Sequence, residues 1–346
     1  MKQKFRLLGI IGLLLVILSC QKGLTVEESS FCKSLVPGNY ILEAEDGWWN
    51  WCMAPIYDEN GMLHVFMSSI PNNDSWSKAS KIVHFVANSP EGPYHFVDTT
   101  FSSKTATYHN PQISKVGDTY VMVYLWKPHT TRYQEIGIAT TKSLDEPWKE
   151  SPLNPIITAS GKEASGANRI HASNPTFLQD ADGKYRIYYK SMTDKSTPHR
   201  YREISLAISD NIEGPYVNHP DNPLISYADK SIDIEDPYAF YYKGIYYMIV
   251  EDRMGVKNLL EGNPIPTAEI KPGGNRPGLI YKSKDGIHWA RPEVGYNTNT
   301  YYFGQALSRT ERPHILWKDG KPECLFLANH GSKEAGFFLR IEGWNE

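Results

Sequence analysis

Charged residues stand directly before two prolines in the second half of the chain. Glu235 and Asp236 precede one proline, and Glu311 and Arg312 precede the other. Carboxyl groups held together in a partly dry site have one raised pKa, so one stays protonated while another stays ionised. Acid–base cleavage of a glycosidic bond needs both forms. We take Glu235 as the candidate acid and Asp236 or Glu311 as base or charge partner; salt bridges to Arg312 or Arg253 are the alternative.

The segments around these prolines recur along the chain. Each copy has a proline, a β-rich run, a turn and a second β-rich run, at intervals of roughly 56 to 76 residues, which is typical of repeat architectures. Proline is tolerated at the first residue of a strand, where no ladder donor is needed. The repeated prolines are Pro55, Pro111, Pro175, Pro237 and Pro313.

A second hairpin follows each of the first four copies, so that each unit supplies four strands. The sequence therefore predicts an all-β fold, a five-bladed β-propeller of four-stranded antiparallel blades, over residues 40–346. A β-sandwich with chance likeness between hairpins is the alternative. The same two landmarks in the same order in four units favour the propeller.

The innermost strands of a propeller line a central channel, so the residues before the prolines should converge on one face. Convergent polar groups in a concave pocket are the default hypothesis for a binding site. An arginine there could bind a substrate carboxylate in a bidentate manner, and a tryptophan could stack on a sugar ring. Pairing of each arginine with a nearby acid, and closure of the ring by the tryptophans, are the structural alternatives. The candidate substrate-binding residues are His109, Asn110, Asn174, Arg312, Trp51, His171, Arg169 and Arg276.

This pattern resembles that of the five-bladed β-propeller glycoside hydrolases, closest to family 43 and its relatives. In that family, an aspartate before the first-blade proline is the general base. An aspartate before the third-blade proline adjusts the pKa of the general acid, which is a glutamate two residues before the fourth-blade proline. The matching residues here are Ala54, Asn174 and Glu235. The resemblance thus implies the scaffold and the acid, while the base is missing.

Another group must then act as the base if the chain is an enzyme. Asp236 and Glu311 come first. A histidine near a strand entrance could also share in proton transfer because its ordinary pKa is near 6.5. The further candidates are Glu45, Asp46, Asp252, His109, His171 and His314.

These features predict an exo-acting glycoside hydrolase on an oligosaccharide derived from a plant or algal polysaccharide. The absent aspartate favours an alternative, a non-catalytic glycan-binding lipoprotein on the same scaffold, and a lyase or phosphorylase is a third class. No cofactor is predicted. The sequence leaves a structural ion in the channel open, but no metal-ligand spacing such as CxxC occurs.

The first 19 residues have the pattern of a lipoprotein signal peptide, a charged start followed by an apolar stretch. The apolar stretch, about 12 residues long, is too short to span a bilayer. Cys20 would then be lipidated, and residues 20–39 would form a tether. We expect an exported bacterial lipoprotein, anchored to the membrane through Cys20 on the periplasmic side or at the cell surface. The balance of 36 Lys and Arg against 39 Asp and Glu, without a basic block, argues against nucleic acid as a partner.

Overall fold

The computed structural model describes residues 25–43, 47–159, 170–192, 201–265, 276–305, 309–330 and 334–345. Within these ranges the chain forms five antiparallel sheets of four strands each. The strands are β1 (Leu35–Glu43), β2 (Trp48–Tyr57), β3 (Leu63–Pro71), β4 (Lys81–Ala87), β5 (His95–Phe101), β6 (Ala106–Val116), β7 (Thr119–Pro128), β8 (Glu135–Thr141), β9 (Lys149–Glu150), β10 (Ala172–Gln179), β11 (Tyr185–Met192), β12 (Arg202–Ser209), β13 (Val217–Asn218), β14 (Glu235–Tyr242), β15 (Ile245–Glu251), β16 (Gly278–Ser283), β17 (Glu293–Tyr296), β18 (Arg309–Lys318), β19 (Lys321–His330) and β20 (Glu334–Ile341). The short helices are α1 (Ser30–Lys33), α2 (Trp76–Ala79), α3 (Val256–Leu260) and α4 (Asn299–Phe303), with a 3₁₀ turn at Ala228–Lys230.

The sheets are the five blades of a propeller, which confirms the predicted fold class. Blade I consists of β2 to β5, blade II of β6 to β9, blade III of β10 to β13 and blade IV of β14 to β17. Blade V consists of β18, β19 and β20 with β1 as its outermost strand. The first strand of the described residues therefore completes the last blade and closes the ring.

The packed part of the chain begins earlier than the sequence predicts. Residues 25–39, assigned above to a tether, include helix α1 and the first half of β1. Val26 and Phe31 are buried against the blades. The prediction was wrong in this segment because β1 belongs to blade V, and its partner strand lies at the other end of the sequence. Helices within the described ranges are all too short, or too polar, to cross a membrane.

Two-residue turns set the register of the innermost hairpins. Lys243 and Gly244 both have positive φ, 48° and 86°, and Asp319 and Gly320 have φ of 50° and 71°. Positive φ at both central residues is typical of type I′ turns, whose twist matches that of the flanking strands. These turns fix which residues of the first two strands of blades IV and V lie opposite each other.

The hydrophobic core lies between the blades. Each of the five buried clusters in the described chain combines side chains from two neighbouring blades. One of these clusters joins blade V to blade I, so the packing continues around the whole ring. Because every blade buries both of its faces in this way, the inner ends of the innermost strands are held at fixed positions around the axis. Side chains there can be polar without weakening the core.

Candidate active site

Every innermost strand is interrupted at the same place. The pairing with the second strand shifts register there, and one residue takes a left-handed backbone conformation. Left-handed φ is uncommon for residues other than glycine, so its recurrence in all five blades marks equivalent positions. The left-handed residues are Cys52, Asn110, Asn174, Asp236 and Arg312, with φ between 52° and 59°.

The structure corrects the sequence alignment in blade I. The register shift falls between Trp51 and Ala54, so Cys52 takes the place expected for Ala54, and Met53 replaces the proline. Ala54 lies beyond the bulge, in the hydrophobic cluster between blades I and II. The alignment was wrong by two residues because Pro55 was matched to the prolines of the other blades. The position that the family resemblance gives to the general base therefore carries a thiol.

The five left-handed residues form a closed ring of hydrogen bonds around the axis. Asn110 Nδ2 donates to Asn174 Oδ1 at 2.9 Å, and Asn174 Nδ2 donates to Asp236 Oδ1 at 2.6 Å. Arg312 Nη1 donates to the same Asp236 oxygen at 2.9 Å, and Arg312 Nε donates to Cys52 Sγ at 3.1 Å. The Cys52 thiol closes the ring by donating to the backbone carbonyl of Pro111, the residue after Asn110, at 3.5 Å. This ring forms a rigid polar floor.

A cavity of about 300 Å³ lies over this floor. It brings together the strand entrances of all five blades, as the repeat pattern predicts. Most of its wall is polar or aromatic. The lining residues are Trp49, Trp51, Ile70, Trp76, His109, Asn110, Leu125, Gln134, His171, Asn174, Lys190, Arg202, Glu235, Asp236, Arg253, Arg309, Glu311 and Arg312.

Glu235 lies at the convergence of three cations. Its carboxylate oxygens are 2.6 Å from Lys190 Nζ, 3.2 Å from Arg253 Nη1 and 3.4 Å from Arg202 Nε. Burial alone would raise the pKa of Glu235, but the charges of Arg202, Lys190 and Arg253 together hold it well below its ordinary value. This is the opposite of what a proton donor needs. The electrostatics therefore argue against the acid role that the sequence assigns to Glu235.

Glu311 occupies the equivalent position in blade V and has the opposite environment. Carboxylate oxygens of Asp236, Glu251 and Glu311 lie within 4.8 Å of one another. Burial and the charge of Asp236 raise the pKa of Glu311 to about 7. Burial and the neighbouring Glu311 and Asp236 also raise the pKa of Glu251, well above its ordinary value. Carboxyl groups this close cannot all ionise, so the cluster holds at least one proton near neutral pH.

The same three carboxylates are close enough to share a metal ion. Arg312 already pairs with Asp236 at 2.9 Å, and Arg309 lies 3.6 Å from Glu311. These two arginines already offset part of the negative charge that would attract a metal ion. An ion bound at this position in the channel would compete with the shared protons for the same carboxylate oxygens.

Three of the remaining predicted ligands line the cavity beside the amides of the floor: His109, Trp51 and His171. The His109 ring stacks on Trp76 with centroids 4.9 Å apart, and its Nδ1 lies 2.8 Å from Ser80 Oγ. Burial and the nearby Arg312 lower the pKa of His109 well below its ordinary value, so this histidine is a neutral hydrogen-bonding group.

Other predicted residues lie elsewhere. Arg276 donates to the backbone carbonyl of Arg253 and is absent from the cavity wall. Asp252 accepts hydrogen bonds from backbone N–H groups at the start of α3, which makes it a structural cap. His314 is buried next to Tyr238, and burial lowers its pKa to about 3. The residues that fall outside the described ranges are Arg169, Cys20, Glu45 and Asp46.

The sequence reading missed side chains that come from second and third strands. Glu251 lies directly opposite Glu235 in the β14–β15 pairing, and Lys190 lies opposite Ser173 in the β10–β11 pairing. Counting outward from the hairpin turns identifies both partners, once one residue is allowed for the bulge. Arg202 is the first residue of β12, the third strand of blade III, and no short-range sequence pattern indicates that its side chain reaches the site.

No protein-family profile matches the chain. Two curated proteins are similar in sequence. One is an extracellular endo-α-(1→5)-L-arabinanase of Thermotoga petrophila, 28% identical over 303 residues, and the other is extracellular endo-α-(1→5)-L-arabinanase 2 of Bacillus subtilis, 29% identical over 225 residues. The alignments cover 72% and 59% of this chain, but only 60% and 45% of those proteins. The chain thus spans about half the length of the curated relatives it matches.

Solved structures show the same architecture. A family 117 glycoside hydrolase of the marine bacterium Zobellia galactanivorans superposes with a TM-score of 0.60 at 14% identity, covering 88% of this chain and 89% of that one. A thermostable family-43 glycoside hydrolase gives a TM-score of 0.57 at 12% identity, covering 88% and 91%. With the five blades and the two arabinanase relatives, these likenesses confirm the resemblance to the five-bladed propeller glycoside hydrolases.

Proposed function

We propose that this chain is an exo-acting glycoside hydrolase that removes terminal sugar from an oligosaccharide of plant or algal origin. One observation carries the proposal. Glu235 and Glu311 occupy equivalent positions in adjacent blades, and their pKa values are moved in opposite directions. Carboxyl groups whose environments separate their pKa values supply an ionised and a protonated group at the same pH.

Glu311 is the proposed proton donor. A pKa of about 7 keeps much of it protonated near neutral pH, where a general acid is most effective. Its proton passes to the glycosidic oxygen as the bond from that oxygen to the anomeric carbon breaks. Water then adds its hydroxyl group to the anomeric carbon and returns its proton to the Glu311 carboxylate. Atoms and charge balance over the cycle.

Glu235 is the proposed permanent carboxylate. It stays ionised at the pH where Glu311 keeps its proton, and cleavage of a glycosidic bond needs one ionised carboxylate beside the acid. Three cations at 2.6–3.4 Å make Glu235 both a weak base and a weak nucleophile, so its proposed role is electrostatic, without proton abstraction from water and without covalent attack on the sugar. Asp236 supports the floor through Asn174 and Arg312 and has little free surface. Because Glu311 protonates the leaving oxygen and then takes the proton of the water on the same face of the sugar, we expect retention of configuration at the anomeric carbon, measured by NMR of the first product formed.

The size of the cavity supports terminal cleavage. A volume of about 300 Å³ is at the low end for ligand pockets and suits one or two sugar residues better than a long chain. Trp49, Trp51 and Trp76 provide aromatic surface on one side. Tryptophan presents a large apolar face with a polar N–H, a combination that suits sugar rings.

The test is product analysis on a panel of oligosaccharides from plant and algal cell walls, including arabino-oligosaccharides. An exo-acting enzyme releases one small sugar from the beginning of the reaction, with little early loss of polymer length. A ladder of intermediate lengths would contradict terminal cleavage. Binding without product from any substrate would contradict hydrolysis.

A second candidate, a non-catalytic glycan-binding protein, is favoured by Cys52. This thiol stands where the related hydrolases place a carboxylate, and Arg312 donates a hydrogen bond to it. Titration calorimetry with the same panel separates the two functions: heat of binding together with an absence of product would support the binding protein.

Export and lipid anchoring at Cys20 also remain a proposal. Replacing the lipidated residue, Cys20→Ala, should move the protein from the membrane fraction to the soluble fraction of the bacterium. An unchanged distribution in membranes would contradict acyl anchoring. The released protein should keep its activity, because Cys20 precedes the propeller in the sequence.

A further inference from the structure

The wall of the cavity has an excess of positive charge. Five cationic side chains line it, against three carboxylates. One of those carboxylates, Glu311, has a pKa of about 7, so the excess grows as the pH falls towards and below neutrality. A concave site of one sign of charge attracts ligands of the other sign, because low-dielectric walls focus the field. The five cations are Lys190, Arg202, Arg253, Arg309 and Arg312.

Four of these cations serve the inner structure of the site. Arg312 binds Asp236 and Cys52 in the floor. Lys190 and Arg253 bind Glu235, at 2.6 and 3.2 Å. Arg202 lies 3.4 Å from Glu235 and also forms an ion pair with a second buried aspartate, Asp233, at 2.7 Å. Their side chains expose 22% or less of their surface.

Arg309 differs from the other four in exposure. Its side chain is 38% exposed, while it still lines the cavity. Its Nη1 lies 3.6 Å from Glu311 Oε1. An anionic group bound to this guanidinium would therefore lie close to the proposed proton donor. A second negative charge there would raise the pKa of Glu311 further and help to keep it protonated.

We propose that the sugar residue bound in the cavity carries an anionic group, a carboxylate or a sulfate, and that Arg309 recognises it. The inference rests on the proposed function, since it names the substrate class of the same site. Guanidinium groups bind carboxylate and sulfate oxygens through parallel hydrogen bonds, and neutral sugars lack such a partner. Arg309 is a specificity determinant in this scheme, and Glu311 remains the acid.

The experiment compares matched substrates that differ only in charge. Oligosaccharides that end in galacturonic or glucuronic acid are tested beside their methyl esters and their carboxyl-reduced forms, together with galactose oligomers with and without a 6-sulfate. Rates are measured by product release, and binding by titration calorimetry at low and high salt. Preference for uronic acids identifies a carboxylate, and preference for the sulfated oligomer identifies a sulfate.

We expect kcat/KM and binding affinity to fall by about 10- to 100-fold when the anion is esterified, reduced or removed, the effect of losing one charge-assisted hydrogen-bonding partner. Salt should weaken the advantage, because exposed charges are screened. Equal rates on neutral and acidic substrates would overturn the inference and leave hydrolysis standing. Charge-dependent binding without product would support recognition of an anionic sugar and contradict hydrolysis. If the protein showed no binding and formed no product, both the inference and the proposed function would be overturned.

Variants assign the preference to one residue. Arg309→Gln should abolish the preference for the anionic substrate, acting mainly through KM, and Arg309→Lys should restore part of it. Arg340→Gln is the matched control, since Arg340 is 44% exposed and pairs with Glu91 outside the cavity. A preference that survives Arg309→Gln would overturn the assignment to Arg309. Melting temperatures of the three variants show whether folding is affected.

Discussion

Blades I and II meet the cavity with aromatic, amide and apolar side chains, whereas every charged residue of the described cavity wall comes from blades III, IV and V. The backbone does not explain this difference, because all five innermost strands have the same bulge and the same left-handed residue. Residue type alone separates the two sides. In the proposed mechanism, blades III to V supply the charged groups for bond cleavage, and blades I and II supply the surface that the sugar contacts.

Glu311→Gln should give the largest effect on the charged side. Loss of a general acid typically costs about 10²- to 10⁴-fold in rate. We expect kcat to fall by that factor with the melting temperature retained, because Glu311 is partly protonated in the native state and glutamine has nearly the same shape. Glu323→Gln is the control, since the Glu323 carboxylate accepts a hydrogen bond from the Tyr57 hydroxyl outside the cavity. A variant that keeps more than a tenth of the wild-type kcat would remove Glu311 from the acid role.

The substitution Glu235→Gln, at the equivalent position in blade IV, should lower the stability of the fold. Glu235→Gln leaves Lys190, Arg202 and Arg253 close together without their shared anion. Breaking a buried ion pair from one side costs about 3–5 kcal/mol. Denaturant unfolding measures this loss in the free energy of unfolding.

Glu91→Gln serves as the comparison, because its pair with Arg340 is exposed and should contribute about 1 kcal/mol or less. If Glu235→Gln and Glu91→Gln were equally stable, the three cations would not depend on Glu235. The contrast between Glu235 and Glu311, two equivalent positions in adjacent blades, would then be lost.

On the aromatic side, Trp76→Ala should weaken substrate binding without slowing the reaction. Trp76 is half-buried, lines the cavity and stacks on His109. Loss of an aromatic contact of this kind costs about 1–2 kcal/mol, so KM should rise by roughly 5- to 30-fold while kcat stays the same. Tyr301→Ala, at an exposed ring outside the cavity, should change neither. A fall in kcat alone would place Trp76 with the reacting groups.

Cys52→Ser should have the smallest effect. Serine keeps a polar atom beside Arg312, and the site as proposed draws no chemistry from the thiol. We expect less than about 1 kcal/mol of change in stability, and activity close to wild type. A loss of activity as large as that of Glu311→Gln would mean that the thiol participates in the reaction.

The fold could be predicted because every repeat carries its own turn and four of the five carry the proline at the bulge, and these are local signals. The floor could also be predicted in four blades, from Asn110, Asn174, Asp236 and Arg312. The floor residue of blade I, Cys52, could not be predicted, because the bulge there has Met53 in place of proline and nothing else in the sequence marks the bulge. The roles of Glu235 and Glu311 depend on Lys190, Arg202 and Glu251, which reach them from other strands, so their pKa values are properties of the folded ring.

The pH dependence of kcat/KM on the preferred oligosaccharide tests the central claim most directly. In the proposed mechanism Glu311 acts in its protonated form, and burial and the charge of Asp236 raise its pKa to about 7. Activity should therefore be constant below that pH and fall tenfold per pH unit above it. The residual activity of Glu311→Gln should lose this alkaline fall. A fall that persists unchanged in Glu311→Gln, or disappears instead in Asp252→Asn, would contradict Glu311 as the proton donor.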